Sequence, residues 1–338
     1  MRILIAGLGA IGQRHARNLR ALRGKGVELL AYRRRRLRHV VTESLTRDET
    51  RDVESELGVQ AFDDLGAALA ARPDAVFVCT PTSQHLEIAQ RAADAGCGLF
   101  IEKPVSHSLD GVGRLVDAVA ARRLVTLVGC QWRFHPCVRG LRELILTGAL
   151  GRLRGAEIDY AEYLPDWHPY EDYRLSYAAR AELGGGVVLT QIHDYDLAFW
   201  LFGMPQSVRA TGGHLTDLDV DVEDTADATL QTDAGAVRVR QSFAARPPRR
   251  TIVVRGERAT ATLDLLAARL DVQPPIAPTM SFPDYQRNRM FLDEAAHFLG
   301  CLDGTERPAI PLSEGVLVLK IALLVKEAMQ SGRAMETS

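Results

Sequence analysis

Up to about residue 128 the chain alternates short apolar runs with amphipathic stretches. The apolar runs cover 3–6, 27–32, 75–79, 99–101 and 124–128. They lack polar alternation, which is the pattern of parallel strands buried on both faces. Between them, 83–95 and 108–121 carry apolar residues at helical spacing. Strand, helix, strand repeated in this way predicts a doubly wound parallel sheet, the α/β Rossmann class.

The pattern changes further along. Residues 141–147 read as a helix stopped by Gly148, and 153–163 as a strand. From about 207 to 272, short alternating runs (224–232, 236–243, 250–256, 259–265) are separated by turn signals such as Asp233-Ala234-Gly235 and Gly256-Glu257. Consecutive hairpins of this kind predict a mostly antiparallel, open-faced sheet with one face covered, in an α+β domain. Pro247-Pro248 and 274–278 read as loops. An apolar-periodic helix over 313–332 is expected to pack back onto the first domain. The domains drawn from this pattern are 1–128, 129–312 and the closing segment 313–338.

Composition narrows the function classes. The 338 residues suit two domains. The 41 basic and 43 acidic residues leave a net charge of −2, with no global pull toward nucleic acid or an anionic membrane. The apolar start is too short for a secretory h-region, and no stretch approaches the ~20 apolar residues of a membrane span. The five cysteines are scattered without C-x-x-C, as expected of reduced thiols in a cytoplasmic protein. No metal site is expected. The nearest approach to one is His135-Pro136-Cys137.

Gly7-Leu8-Gly9-Ala10-Ile11-Gly12 follows the first strand directly and opens a helix through Leu22. In that context Gly7 permits a tight turn, Gly9 lets backbone approach a pyrophosphate, and Gly12 lets helix and sheet pack closely. The helix start, with Ala10 and Ile11, offers free N–H groups and the positive dipole end to phosphates. Where an NAD-binding protein usually places an acid for the ribose 2′-hydroxyl, this chain has Tyr32-Arg33-Arg34-Arg35-Arg36. Arg33 and Arg34 suit a 2′-phosphate, so NADP(H) is favoured over NAD(H). Arg35, Arg36 and Arg38 read as a solvated basic run.

Two further strands end in polar punctuation, Cys79-Thr80-Pro81-Thr82-Ser83-Gln84-His85 and Ile101-Glu102-Lys103-Pro104. Ligands of open α/β sheets sit outside the carboxyl ends of the strands. Thr80, Pro81, His85 and Glu102 would therefore flank the nicotinamide half of the crevice. A lysine after a buried strand packs poorly, and Lys103 there can hydrogen-bond a substrate hydroxyl.

These elements resemble the glucose–fructose oxidoreductase, inositol dehydrogenase and MocA (Gfo/Idh/MocA) family. The likeness covers Gly7–Gly12, Cys79–His85, Glu102-Lys103-Pro104, residues 129–136, and Gly184-Gly185-Gly186 followed by His193-Asp194-Tyr195-Asp196-Leu197. It runs over nearly the whole chain in the family's order. The resemblance implies a Rossmann domain, a second sheet used for oligomerisation, and oxidation or reduction of sugars, cyclitols and related polyols. By resemblance Lys103 faces the substrate, Pro104 is a cis-proline, and Arg133 lies near the nicotinamide or the substrate. The family often places an aspartate four residues before its histidine. Here four back from His193 is Leu189, four on from Gly186 is Thr190, and the spacing is one residue shorter. Thr190 or Gln191 is left to position a hydroxyl, with His193 as the proton acceptor and Lys103 holding the oxygen. Asp194 and Asp196 read as helix N-terminal charges.

The aromatic and polar density of 163–180 includes Trp167, His168, Tyr173 and Arg174. It reads as substrate-contacting, the alternative being a compact loop packed by its own aromatics. Three readings follow. The first is a dehydrogenase or reductase acting on a sugar, sugar phosphate, nucleotide sugar or cyclitol. The second is a cofactor-recycling glycosidase or epimerase, and the third a non-catalytic dinucleotide sensor that lost the acid. A homodimer or homotetramer is expected from the family and from a large uncovered apolar sheet face, unstable in a monomer.

Overall fold

A computed structural model of the chain describes residues 1–35, 38–42 and 45–337. The first apolar run forms β1 (Arg2–Ala6), followed by α1 (Ala10–Arg23) and β2 (Glu28–Tyr32). A small hairpin, β3 (Val40–Val41) and β4 (Arg47–Asp48), precedes α2 (Val53–Leu57), β5 (Val59–Phe62) and α3 (Leu65–Ala70). Then come β6 (Ala75–Val78), α4 (His85–Asp94), β7 (Gly98–Glu102), α5 (Val112–Arg122) and β8 (Thr126–Gly129). All six main strands are parallel in the order β5-β2-β1-β6-β7-β8. That is the doubly wound Rossmann order, and its direction reverses between β1 and β6, which opens a crevice there. β5 sits on the sheet edge, and its half-exposed residues carry no apolar run to betray it in the sequence.

The chain continues through α6 (Pro136–Leu146), β9 (Leu153–Tyr163), α7 (Val187–Thr190), α8 (His193–Phe202), β10 (Ser207–Gly213), β11 (Thr225–Thr232) and β12 (Gly235–Ser242). β13 (Ala244–Gly256), β14 (Thr260–Asp264), β15 (Arg269–Gln273) and β16 (Met280–Ser281) follow. α9 (Asn288–Leu302), α10 (Leu312–Ser331) and β17 (Met335–Glu336) complete the chain. The second sheet runs β16-β15-β14-β13-β9-β12-β11-β10-β17, antiparallel except for the β9–β12 pair. Helices α6, α7, α8 and α10 cover one face. Alternation sends Ala156, Ile158 and Tyr160 inward, while Glu157 and Asp159 point to the open side.

That open face is not the apolar surface expected from the sequence. It carries cross-strand ion pairs, Arg238 with Asp227 at 2.5 Å, Arg240 with Asp159 at 3.1 Å and Arg255 with Glu157 at 2.9 Å. Pro247-Pro248 also departs from expectation, because it falls inside β13. The proline stretch is exposed, and the pairing with β9 shifts register between Ala244 and Arg249, so the missing N–H groups break no ladder bond.

The closing segments cross the expected boundaries. α9, assigned by pattern to the second domain, lies against α1 on the first sheet. There Phe298 meets the stacked rings of Phe77 and Phe100 edge-on, at 5.4 and 5.6 Å. Removing such a ring typically costs about 3–5 kcal/mol. α10 packs mainly on β10, α7 and α8 rather than on the first domain. It still meets the first domain at α5 and β8, where the Leu312 N–H donates to Thr126 Oγ1 at 3.0 Å, and β17 then pairs with β10 as an edge strand.

Candidate active site

The crevice is built first by glycines. Gly7 has φ 100°, and a Cβ there would stand 2.8 Å from the Cys79 carbonyl. Its N–H donates to the Tyr32 carbonyl at 3.0 Å, tying the turn to the end of β2. A Cβ on Gly12 would overlap the Gly7 carbonyl, whereas nothing lies within 4 Å of a Cβ on Gly9. Backbone is therefore close-packed behind the turn and open in front of it. No side chain caps α1, and its first turn holds no acid. The N–H groups around Ala10, Ile11 and Gly12 are left for an anion, so the residues present fit a dinucleotide pyrophosphate.

The basic run after β2 is divided. Arg33, expected at a 2′-phosphate, is buried and ion-paired with Glu54 from α2. Its guanidinium points into the domain, because a buried charge requires a partner. Arg34 and Arg35 are exposed. Arg38 is exposed and paired with Asp52 at 2.7 Å. Arg36 lies outside the described residues.

At the ends of β6 and β7 the loops are locked together. His85 is buried, with Nδ1 2.7 Å from the Pro104 carbonyl and Nε2 2.7 Å from the Thr80 carbonyl. Burial lowers its pKa, and the two carbonyls act against that. His85 thus clamps one strand end to the other instead of facing a ligand. Thr80 Oγ1 is buried without a partner among the described residues, and Pro81 is half-buried. The Lys103–Pro104 bond is cis, as the resemblance implied. Glu102 turns inward and meets His15 Nε2 at 2.8 Å. Burial would raise its carboxyl, but the His15 hydrogen bond and the charges of His15 and Lys103 outweigh it and hold it below the ordinary range. Glu102 positions the strand end from behind.

Lys103 reaches across to the second domain and donates to the Thr190 carbonyl at 2.7 Å. The glycine segment permits this crossing: a Cβ on Gly185 would overlap the Tyr177 carbonyl, so the chain turns tightly there before α7. Thr190 Oγ1 and His193 Nδ1 are buried without partners among the described residues. His193 Nε2 lies 3.5 Å from Gln131 Nε2. Burial pushes the His193 pKa well below its usual value, and the charges of Lys103, Arg250 and Arg287 push the same way. The ring is neutral at physiological pH and available as an acceptor.

Gln191 and Asp194 are engaged otherwise than the sequence suggested, and Arg250 went unread in it. Gln191 Oε1 accepts from Arg250 at 2.6 Å, so its side chain is engaged within the protein. Arg250 is buried with its guanidinium over the rings of Trp132 and Tyr160, at 4.9 and 4.4 Å. A signal for it existed: 250, 252 and 254 share the inward face of β13, and an arginine among aliphatics there calls for a partner. Asp194 is buried rather than a surface helix charge. Burial raises its carboxyl to about 6 against the opposing charge of Arg250 and a 2.8 Å hydrogen bond from Gln241.

Arg133 is not brought to this cluster. Its guanidinium grips Asp196 through three contacts of 2.6–3.1 Å and Glu314 at 2.7 Å. Burial works against its charge, but Asp196 more than offsets it and raises the pKa. With its donors consumed, Arg133 ties the segment after β8 to α8 and α10. Asp196 likewise serves as its counter-ion and not as a helix-end charge.

The 163–180 loop is largely self-contained. Trp167 packs edge-on to Tyr160 and Phe243, at 6.4 and 5.2 Å, with Nε1 buried and unpartnered among the described residues. His168 meets Glu171 at 2.8 Å, the Tyr173 hydroxyl accepts from the Asp219 N–H at 3.1 Å, and exposed Arg174 pairs with Asp172 at 2.6 Å. Of the four expected substrate contacts only Trp167 adjoins the cluster, through Tyr160. The loop tip reaches toward the first domain, with Tyr170 and Glu171 in electrostatic range of Arg47 and His39.

Comparison with known proteins decides the family. Residues 1–130 match the oxidoreductase family with the NAD-binding Rossmann fold, and 138–262 match the GFO/IDH/MocA C-terminal domain. A UDP-N-acetylglucosamine 3-dehydrogenase from Acidithiobacillus ferrooxidans is 30% identical over 80% of this chain and 76% of its own. The chain belongs to the GFO/IDH/MocA oxidoreductase family. A myo-inositol 2-dehydrogenase from Thermotoga maritima is 26% identical over 99% of this chain and 98% of its own. Among solved structures, the WlbA dehydrogenase from Bordetella pertussis, in complex with NADH and UDP-GlcNAcA, superposes with a TM-score of 0.82 at 22% identity. It covers 100% of this chain and 99% of that one, a likeness of fold. The sequence resemblance is thereby confirmed, as are the Rossmann sheet and the mostly antiparallel second sheet.

Proposed function

We propose that this family member transfers a hydride to or from a secondary alcohol or ketone carbon of a sugar, sugar phosphate, nucleotide sugar or cyclitol. The observation that carries this reading is the meeting of Lys103 with the Thr190–His193 segment beyond the ends of β6 and β7. A bound nicotinamide dinucleotide supplies the hydride acceptor or donor, held by Gly7–Gly12 and the N-terminus of α1. Lys103 binds the reacting oxygen and stabilises the negative charge that develops there. His193 accepts the hydroxyl proton at a ring nitrogen in the oxidative direction and returns it in the reductive one. Thr190, with its unpartnered Oγ1, orients a hydroxyl, while Gln131 and Gln241 hold His193 and Asp194 in place.

The depressed pKa of His193 has a direction that can be tested. A base acts when unprotonated, so lowering its pKa below 6.5 extends activity toward acid. For alcohol oxidation, kcat/KM should hold between about pH 8 and the ordinary histidine value, and fall only below it. A titration break at the ordinary value would remove His193 from this role.

NADP(H) is the proposed cofactor in preference to NAD(H). Support comes from Arg34, exposed just past β2, and from the absence of a carboxylate among residues 32–35. Arg33 no longer contributes, being paired with Glu54. Fluorescence titration should give tighter binding of NADPH than NADH, with the difference reduced about 10-fold or more in Arg34→Ala. Equal affinities in the unaltered protein would assign NAD(H). Among the described residues no helix is long and apolar enough to cross a membrane. A cytoplasmic homodimer or homotetramer, paired through the charged open sheet face, completes the proposal.

A further inference from the structure

Three cations converge on His193. Lys103, Arg250 and Arg287 are all within its electrostatic reach. The opposing groups are Glu162, near Tyr160 and Arg287, and Asp194, against Arg250. Glu102 answers Lys103 on the first-domain side, so what is left open is how far Arg250 and Arg287 are met within the protein.

Arg250 is the fixed part of this cluster. It is 5% exposed and held over the Trp132 and Tyr160 rings, and it spends one nitrogen on Gln191 Oε1. Its Nε is buried with no partner among the described residues, as are Thr190 Oγ1 and His193 Nδ1. A guanidinium locked over aromatic rings is a planar donor group already set for a carboxylate or phosphate oxygen, and little rotamer freedom is lost when it binds one. Arg287 stands exposed at the start of α9 and has no ion pair or hydrogen bond of its own among the described residues. Pairing within the protein leaves both arginines incompletely met, unlike Arg133, whose donors are consumed by Asp196 and Glu314.

We infer that Arg250 and Arg287 form an anion subsite of the substrate cleft. The substrate is then a polyol bearing a carboxylate or a phosphate, its charged end on these arginines and its reacting carbinol at Lys103 and His193. This rests on the oxidoreductase reading above and names the substrate class within it.

The test uses the full-length protein and three probes: D-gluconate, D-glucose 6-phosphate and D-glucose. Calorimetry should find at least one of the two anions bound about tenfold or more tightly than glucose. Preference for gluconate would identify the carboxylate, and preference for the phosphate would identify the ester. The preference should vanish in Arg287→Ala, a surface change that leaves the core intact, and in Arg250→Met where circular dichroism shows it folded. Added salt should weaken the anion alone. Equal binding of all three, including none at all, overturns the inference, as does a preference that survives Arg287→Ala. NADPH binding is read separately by fluorescence. Protein that binds NADPH without anion preference keeps the oxidoreductase and loses the subsite; protein that binds gluconate but no dinucleotide does the reverse.

Discussion

Replacing Lys103 by methionine should lower kcat by about 10²–10⁴-fold while leaving the dinucleotide dissociation constant nearly unchanged. The reason is geometric. Lys103 Nζ crosses from the dinucleotide-side strand end to the Thr190 carbonyl beside His193. Methionine keeps most of the stem's packing and removes the charge, so folding is little disturbed. The pyrophosphate cradle, formed by backbone at Gly7–Gly12, is untouched. Steady-state kinetics together with NADPH titration of the same variant measure both halves. Loss of dinucleotide binding along with turnover would place Lys103 in the cofactor site alone. Unchanged biological activity would favour a sensor that merely retains the fold.

The second large effect is on stability. Arg133→Met should destabilise the protein by about 3–5 kcal/mol, because it leaves the fully buried Asp196 carboxylate without its counter-ion. Burial already pushes the Asp196 pKa up against the pull of Arg133, so the carboxyl would protonate more readily once the arginine is gone. Glu314 is 35% exposed and can turn to water, so it adds little to the cost. The double variant Arg133→Met/Asp196→Leu should recover much of the loss, since apolar groups of similar volume replace a buried pair at small cost. Urea midpoints of the two variants decide the matter. If Arg133→Met instead kept its midpoint and raised KM alone, the arginine would belong to the substrate cleft after all.

What the sequence disclosed and what it hid divide along a physical line. Periodicity and turn chemistry depend on neighbours a few residues apart, and they gave the two sheets, with β9 correct to the residue. The glycine turn was legible for the same reason. Partners far apart in sequence were not. Arg133 meets Asp196 63 residues away, and Arg33 meets Glu54 across a hairpin, so both arginines looked free when read in order. The missing acid before His193 was legible as an absence. Its consequence needed coordinates: at this position the chain offers Lys103 a main-chain carbonyl, that of Thr190. Arg250 was within reach of the sequence, because a charged residue on the inward register of a strand is a local anomaly.

The path of the final hundred residues also bears on how such a protein can be rearranged. The face of the first sheet that bears Phe77 and Phe100 is finished by Phe298, nearly two hundred positions downstream of Phe100, on a helix delivered after every strand of the second sheet but the short edge strand β17. The dinucleotide half is therefore not a detachable cassette. A gene fusion that transplanted residues 1–130 would leave those rings bare to solvent. Exchange of substrate specificity between relatives must therefore proceed by changing side chains such as Arg250 and Arg287 in place, with the returning helix kept.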